Sequence, residues 1–274
     1  MIPETGLVPA PQGPLTGLRV LVPRETDGPD PLVIALLAAG AQPVVVPLIQ
    51  NVPPEDPTEL DDTLLAVQAG YYGWIGITSA AAVPVLVDRA EEVDLDLPEL
   101  LAQVRVAAVG GSTARALRSA GVTVDVVPTG QSSARTLLRA WPAVDGQPEP
   151  RRVLLPLGDL AADTLADGLR GHGWAVDVVT TYRTVPGPMP EPETRQEWED
   201  GRIDAVLLTS GSTARNLVDL LGPVPDGVRL ICIGESTASE ALRAGLPVTA
   251  IAAEQSPSGL VAALIDTLHP EGEL

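Results

Sequence analysis

Five hydroxyl pairs stand where a short β-branched run gives way to a helical pattern: Thr78-Ser79, Ser112-Thr113, Thr209-Ser210, Ser212-Thr213 and Ser236-Thr237. At a helix start such a residue has two uses. Its hydroxyl caps a free backbone N–H, or it joins the free N–H groups in holding a carboxylate or phosphate. A third use, nucleophilic attack, is outlined by the Gly-x-Ser-x-Ala spacing at Gly110 to Ala114 and again at Gly234 to Ala238. A serine nucleophile needs a base within hydrogen-bond reach. The only histidines are His172, in a Gly-His-Gly turn, and His269, near the C-terminus, and the same loop occurs twice. The expected chemistry is therefore recognition of a ligand carrying several negative groups. The expected contacts are Thr78, Ser79, Gly110, Ser112, Thr113, Ser210, Gly211, Ser212, Gly234, Ser236 and Thr237, with Arg24 as a cation near a strand end. Arg115 and Arg183 are further candidates, although an exposed arginine is more often an ion-pair partner.

Composition narrows the classes. The chain has 274 residues, 45% of them hydrophobic, which suits two α/β domains of ordinary size. Its 17 basic residues face 36 acidic ones, a net charge of −19, and this excludes a bulk nucleic-acid binder. The same charge repels an anionic ligand at long range, so local helix ends and arginines must overcome it. Every basic residue is Arg, which removes lysine Schiff-base chemistry and the P-loop lysine. Two His and one Cys cannot build an ordinary zinc site, so no metal is expected. Cys232, between Ile231 and Ile233, reads as a buried thiol in a reducing compartment. No basic segment leads into an apolar run at the start, and the longest apolar run, Leu32 to Ala41, is far below the roughly 18 residues of a membrane span. The expectation is a cytoplasmic monomer with a small-molecule substrate and neither nucleic acid nor membrane as partner.

The elements that must position these loops alternate. Strand-like runs lie at 19–23, 44–46, 74–77, 104–109, 122–127, 153–155, 175–179, 205–208, 228–233 and 248–251, with helical patterns between them. That rhythm predicts parallel sheets covered by helices. Asp30 can cap the first helix, Pro31 suits its first turn and Gly40 can end it. Pro-rich stretches at 51–57, 141–150 and 185–192 read as linkers. The chain also repeats itself. Arg19-Val-Leu-Val-Pro returns as Arg152-Val-Leu-Leu-Pro, Ile77-Thr-Ser as Leu208-Thr-Ser, and Val109-Gly-Gly-Ser-Thr-Ala as Ile233-Gly-Glu-Ser-Thr-Ala; Gln131-Ser is echoed by Gln255-Ser. Two copies of one unit of about five βα pairs suit a flavodoxin-like wound sheet. Taken by itself, the repeat divides the chain near Gly146.

With these pieces in this order, the chain resembles the uroporphyrinogen-III synthases. The most specific piece is Val178-Val-Thr-Thr-Tyr182-Arg-Thr-Val-Pro186, similar to that family's strand-borne Tyr-Arg-Thr-x-Pro. The Thr-Ser loops at 78–79 and 209–210 and the two loops Gly110 to Ala114 and Gly234 to Ala238 complete the pattern; Ala80-Ala-Ala82 departs from it. The resemblance implies an α/β fold of two flavodoxin-like parallel-sheet domains joined by a two-stranded β ladder. Residues 1–49 with 184–274 would form one domain and 50–183 the other, with crossing strands Val44 to Ile49 and Thr180 to Val185. The implied reaction closes hydroxymethylbilane, a linear octacarboxylate tetrapyrrole, to uroporphyrinogen III. It loses water, inverts ring D, takes place in a cleft between the domains and uses no cofactor. Tyr182 is the implied catalytic residue; Tyr71 and Tyr72 read as packing residues. Two other readings are a solute-binding module and a tetrapyrrole-binding sensor or regulator with a synthase-like fold. The first 18 residues, with four Pro, are expected to be disordered.

Overall fold

A computed structural model describes residues 13–24, 30–130 and 132–268. Of the first 18 residues, expected to be disordered, 13–18 are ordered, with Leu15 fully buried and its amide donating to the Ala39 carbonyl at 2.9 Å; residues 1–12, Gln131 and His269 lie outside the described residues. Ten strands are present among them: β1 (Arg19–Val22), β2 (Gln42–Val45), β3 (Ile49–Val52), β4 (Trp74–Ile77), β5 (Arg105–Ala108), β6 (Arg152–Gly158), β7 (Ala175–Pro186), β8 (Ala205–Leu208), β9 (Arg229–Cys232) and β10 (Val248–Ile251). The chain divides into two compact units, Met1–Gln50 with Pro186–Leu274, and Asn51–Val185.

The first unit carries a sheet in the order β2-β1-β8-β9-β10, with all neighbours parallel. Alternating side chains sort to two apolar faces, as a sheet buried on both sides requires. Leu21, Val206, Leu208, Leu230 and Cys232 face one core, which takes in Leu217 and Ala241 of the helices Gly211–Leu221 and Glu235–Arg243. Val20, Val22, Ala205, Leu207 and Ile231 face the other, which takes in Leu32 and Leu36 of the helix Pro31–Ala38 and Leu260 and Leu264 of Pro257–Leu268. Asp30 caps the helix Pro31–Ala38, accepting from the amides of Leu32 and Val33 at 2.6 and 3.1 Å.

The second unit has the order β3-β7-β6-β4-β5. Ile75, Ile77, Val106, Ala108 and Leu154 build one core, and Trp74, Ala107, Val153, Leu155 and Leu157 the other. Its four parallel strands follow the same spatial plan as the first unit, with β6 and β7 in the places of β1 and β2 and β4 and β5 in those of β8 and β9. Each unit is thus assembled from a piece of each sequence repeat.

Two expected elements differ. The run Val44 to Ile49 is not one strand: β2 ends at Val45 and β3 starts at Ile49. Pro47 lies in the gap and has no N–H to give a ladder. The segment that neighbours β7 is therefore 49–52. Val122 to Val127, expected as a strand, contributes only a single parallel bridge, Ala107 to Val126. The Asp125 carboxylate there accepts from the Val106 amide at 2.7 Å, taking a donor that a backbone carbonyl would otherwise receive.

Candidate functional site

In a parallel wound sheet the loops leaving the carboxyl ends of the strands share one edge, where ligands bind. In the first unit those loops follow β8 and β9. Ser210 is the N-cap of the helix Gly211–Leu221 and closes a reciprocal capping box with Thr213. The Ser210 hydroxyl accepts from the Thr213 amide at 3.3 Å, while the Thr213 hydroxyl donates to the Ser210 carbonyl at 2.6 Å. The Ser212 hydroxyl lies 3.3 Å from that of Ser210. Gly211 is pressed close to Glu240 on the neighbouring helix. The helix Glu235–Arg243 begins differently. Its N-cap is Gly234, which has no side chain to cap the first turn. Thr237 is buried and Ser236 exposed; neither side chain has a hydrogen-bond partner among the described residues.

The second unit has the same glycine start after β5. Gly110 is the N-cap of the helix Gly111–Ser119, again with no side-chain cap; Ser112 is exposed, and Thr113 is buried with its hydroxyl unpartnered among the described residues. Both glycine caps have extended backbones, φ −177° and −176°, which any residue can adopt. Glycine is needed for a close approach instead: a Cβ on Gly110 would lie 1.8 Å from Ser132 Oγ, and one on Gly234 2.6 Å from Gln255 Nε2. Thr78 and Ser79 precede their helix, Ala82–Glu92, by a turn, and Ser79 Oγ accepts from the Ala81 amide at 3.2 Å.

The arginines separate. Arg24 holds Asp30, the cap of the helix Pro31–Ala38, at 2.8 Å, and Arg183 holds Glu55 at 2.8 Å. Arg115 is exposed and makes no ion pair among the described residues.

Tyr182 lies on β7, beyond the last regular pair of the β6–β7 ladder. Its half-buried ring packs against the core built around Ile77 and Leu154, with Gly158 as its partner in register. Among the described residues its hydroxyl makes no hydrogen bond, so it is available as a donor. Tyr72, by contrast, donates to Asp177 at 3.1 Å; burial, with Asp177 beside it, raises its phenol pKa. Tyr71 packs edge-on against Tyr72 at 5.2 Å between ring centres. Sequence reasoning passed over Ser132, Gly158 and Asp159. The available signal was their position, two of them immediately at the end of a buried strand and one beside a helix start.

Residues 30–262 match the family model described as uroporphyrinogen-III synthase HemD. The chain is 27% identical to the porphyrin biosynthesis protein HemD of Ruminiclostridium josui over 85% of its own length, spanning 45% of that longer protein. It is 26% identical to the uroporphyrinogen-III synthase of Chlorobaculum parvum, covering 85% of this chain and 92% of that one. Among solved structures, a uroporphyrinogen III synthase of Thermus thermophilus superposes with a TM-score of 0.58 at 21% identity, covering 93% of this chain and 100% of that one. That of Helicobacter pylori gives 0.57 at 17%, covering 91% and 99%. These likenesses show a common fold. With the family model spanning residues 30–262, most of the sequence, the chain belongs to the uroporphyrinogen-III synthase family.

Proposed function

We propose that this chain closes hydroxymethylbilane to uroporphyrinogen III, releasing water and inverting the terminal ring. The observation that carries the reading is the Tyr182 hydroxyl, unpartnered among the described residues, on a half-buried ring packed against the core. The reaction begins with departure of a hydroxyl group to leave an azafulvene. A phenol donating to that oxygen lowers the barrier by general-acid assistance, worth about 10²–10⁴-fold. Closure then passes through a spiro intermediate and calls for positioning rather than strong acids or bases. The helix starts at Gly110 and Gly234, whose glycine caps carry no side chain, offer backbone N–H groups to substrate carboxylates, with Thr113 and Thr237 adding hydroxyls. Thr78, Ser79, Ser112, Ser210, Gly211, Ser212 and Ser236 extend these rims, and Arg24 adds a cation already shared with Asp30. No cofactor or metal takes part in this scheme.

Among the described residues no helix is long and apolar enough to cross a membrane. The proposed setting is the cytoplasm, with the chain acting as a monomer and not on nucleic acid, in keeping with its net charge of −19. The test is turnover of freshly made hydroxymethylbilane with isomer analysis of the product. Spontaneous closure yields isomer I. Isomer III in excess supports the proposal, and isomer I alone at the background rate refutes it.

A further inference from the structure

The ladder between β6 and β7 loses its regularity where it reaches Tyr182. Leu157 pairs with Thr180, but the next residue of β6, Gly158, pairs with Tyr182. Thr181 is therefore an extra residue on β7. It is fully buried, and its hydroxyl has no partner among the described residues. A bulge of this kind reverses the phase of the residues beyond it. Without it Gly158 would face Thr181, and the Tyr182 ring would project from the opposite side of the sheet.

Beyond the bulge β7 keeps β3 as its neighbour on one side, and on the β6 side Asp159 completes the Gly158–Tyr182 pair and adds a side-chain bond further along. Its amide donates to the Tyr182 carbonyl at 3.0 Å. Its Oδ1 accepts from the Thr184 amide at 2.9 Å. One residue thus grips β7 on both sides of Arg183. Asp159 is exposed and makes no ion pair among the described residues, so this backbone clamp is the contact its carboxylate makes. We propose that Asp159 is a positioning residue for Tyr182, fixing the register of the bulged strand so that the phenol stays over Gly158. The inference rests on the reading that Tyr182 assists the reaction.

The experiment compares Asp159→Ala, Asp159→Asn and Asp159→Glu in the full chain, each alone and combined with Tyr182→Phe, by kcat and KM on freshly made hydroxymethylbilane. Asn keeps an acceptor at the Oδ1 position, whereas Glu keeps the charge and moves the acceptor by one methylene. A misplaced group costs up to about 10²-fold, so Asp159→Ala and Asp159→Glu should lower kcat by about 10- to 100-fold with KM nearly unchanged, and Asp159→Asn should retain wild-type turnover. In the Tyr182→Phe background the same changes should add almost nothing, as coupled residues do. Equal losses in both backgrounds, or a rise in KM with kcat intact, would overturn the positioning role and leave the reading of Tyr182 standing. Wild-type kcat in Tyr182→Phe alone would overturn that reading and this inference with it. Should Asp159→Ala fail to fold, equal turnover of the Asn and Glu variants would overturn the proposal.

Discussion

A side chain on Gly158 would collide with the ring of Tyr182: a Cβ there would lie 2.6 and 2.7 Å from two ring carbons and 2.8 Å from the phenol oxygen. The obstruction is the outer end of a side chain, which can swing away, so Gly158→Ala should cost only about 1 kcal/mol of stability. Displacing the phenol is more serious for turnover, and kcat should fall about 10- to 100-fold. Thermal melts and initial rates on the same preparation check both numbers.

Tyr182→Phe removes the hydroxyl and keeps the ring that packs on the core. Because that hydroxyl makes no bond within the described protein, melting should barely change while the rate falls by about 10²–10⁴. Unaltered turnover on fresh substrate would take Tyr182 out of the mechanism.

Three threonines at equivalent helix positions should respond differently. Thr213 is half of a capping box, so Thr213→Ala should lower stability by about 1 kcal/mol. Thr113 and Thr237 follow glycine caps. Their alanine variants should weaken substrate binding by about 1.5–3 kcal/mol if each hydroxyl meets a carboxylate, with smaller changes in melting temperature. Parallel measurement of KM and melting separates the two roles.

Adjacent glycines provide a sharper contrast. A Cβ on Gly111 meets open space, whereas on Gly110 it meets Ser132. Gly111→Ala should be neutral or stabilise by up to about 0.5 kcal/mol. Gly110→Ala should destabilise by about 1–3 kcal/mol through crowding against a short, stiff neighbour. Urea unfolding of the two variants decides.

Cys232 is fully buried, and desolvation lifts its thiol from 9.0 to about 11. A folded-state pKa above the unfolded one means that the contribution is whole below pH 9 and is lost as pH rises toward 11. Wild type should therefore lose more stability than Cys232→Ala between those values, read as melting temperature against pH. At pH 8 the native thiol should resist alkylation and react only on unfolding.

The sheet class was legible because both faces of each sheet are apolar, and runs such as Val206–Leu208 and Leu230–Cys232 record that directly. The repeat was legible too. Its division of labour was not, because β1 sits between β2 and β8 and β6 between β4 and β7, and such pairings join strands remote in the chain. The family resemblance, not the local pattern, pointed away from two consecutive halves. Val122 to Val127 has the composition of a strand, yet the Asp125 carboxylate takes a ladder donor. In the site, the five hydroxyl pairs read alike. For Thr213, Thr113 and Thr237 the residue three places before, Ser210 in one case and Gly110 or Gly234 in the others, decides whether the hydroxyl is engaged. Asp159 had no local signature, since its role depends on a bulge in another strand.

Because β1 is flanked by β2 on one side and β8 on the other, the order of synthesis matters. During translation β1 and β2 leave the ribosome with one edge unpaired. Every strand from β4 to β7 is made before β8 arrives to cover that edge. The nested segment can therefore mature on the nascent chain while its host sheet waits for late-emerging strands, a window in which a chaperone or a neighbouring nascent chain has access to the open edge of β1.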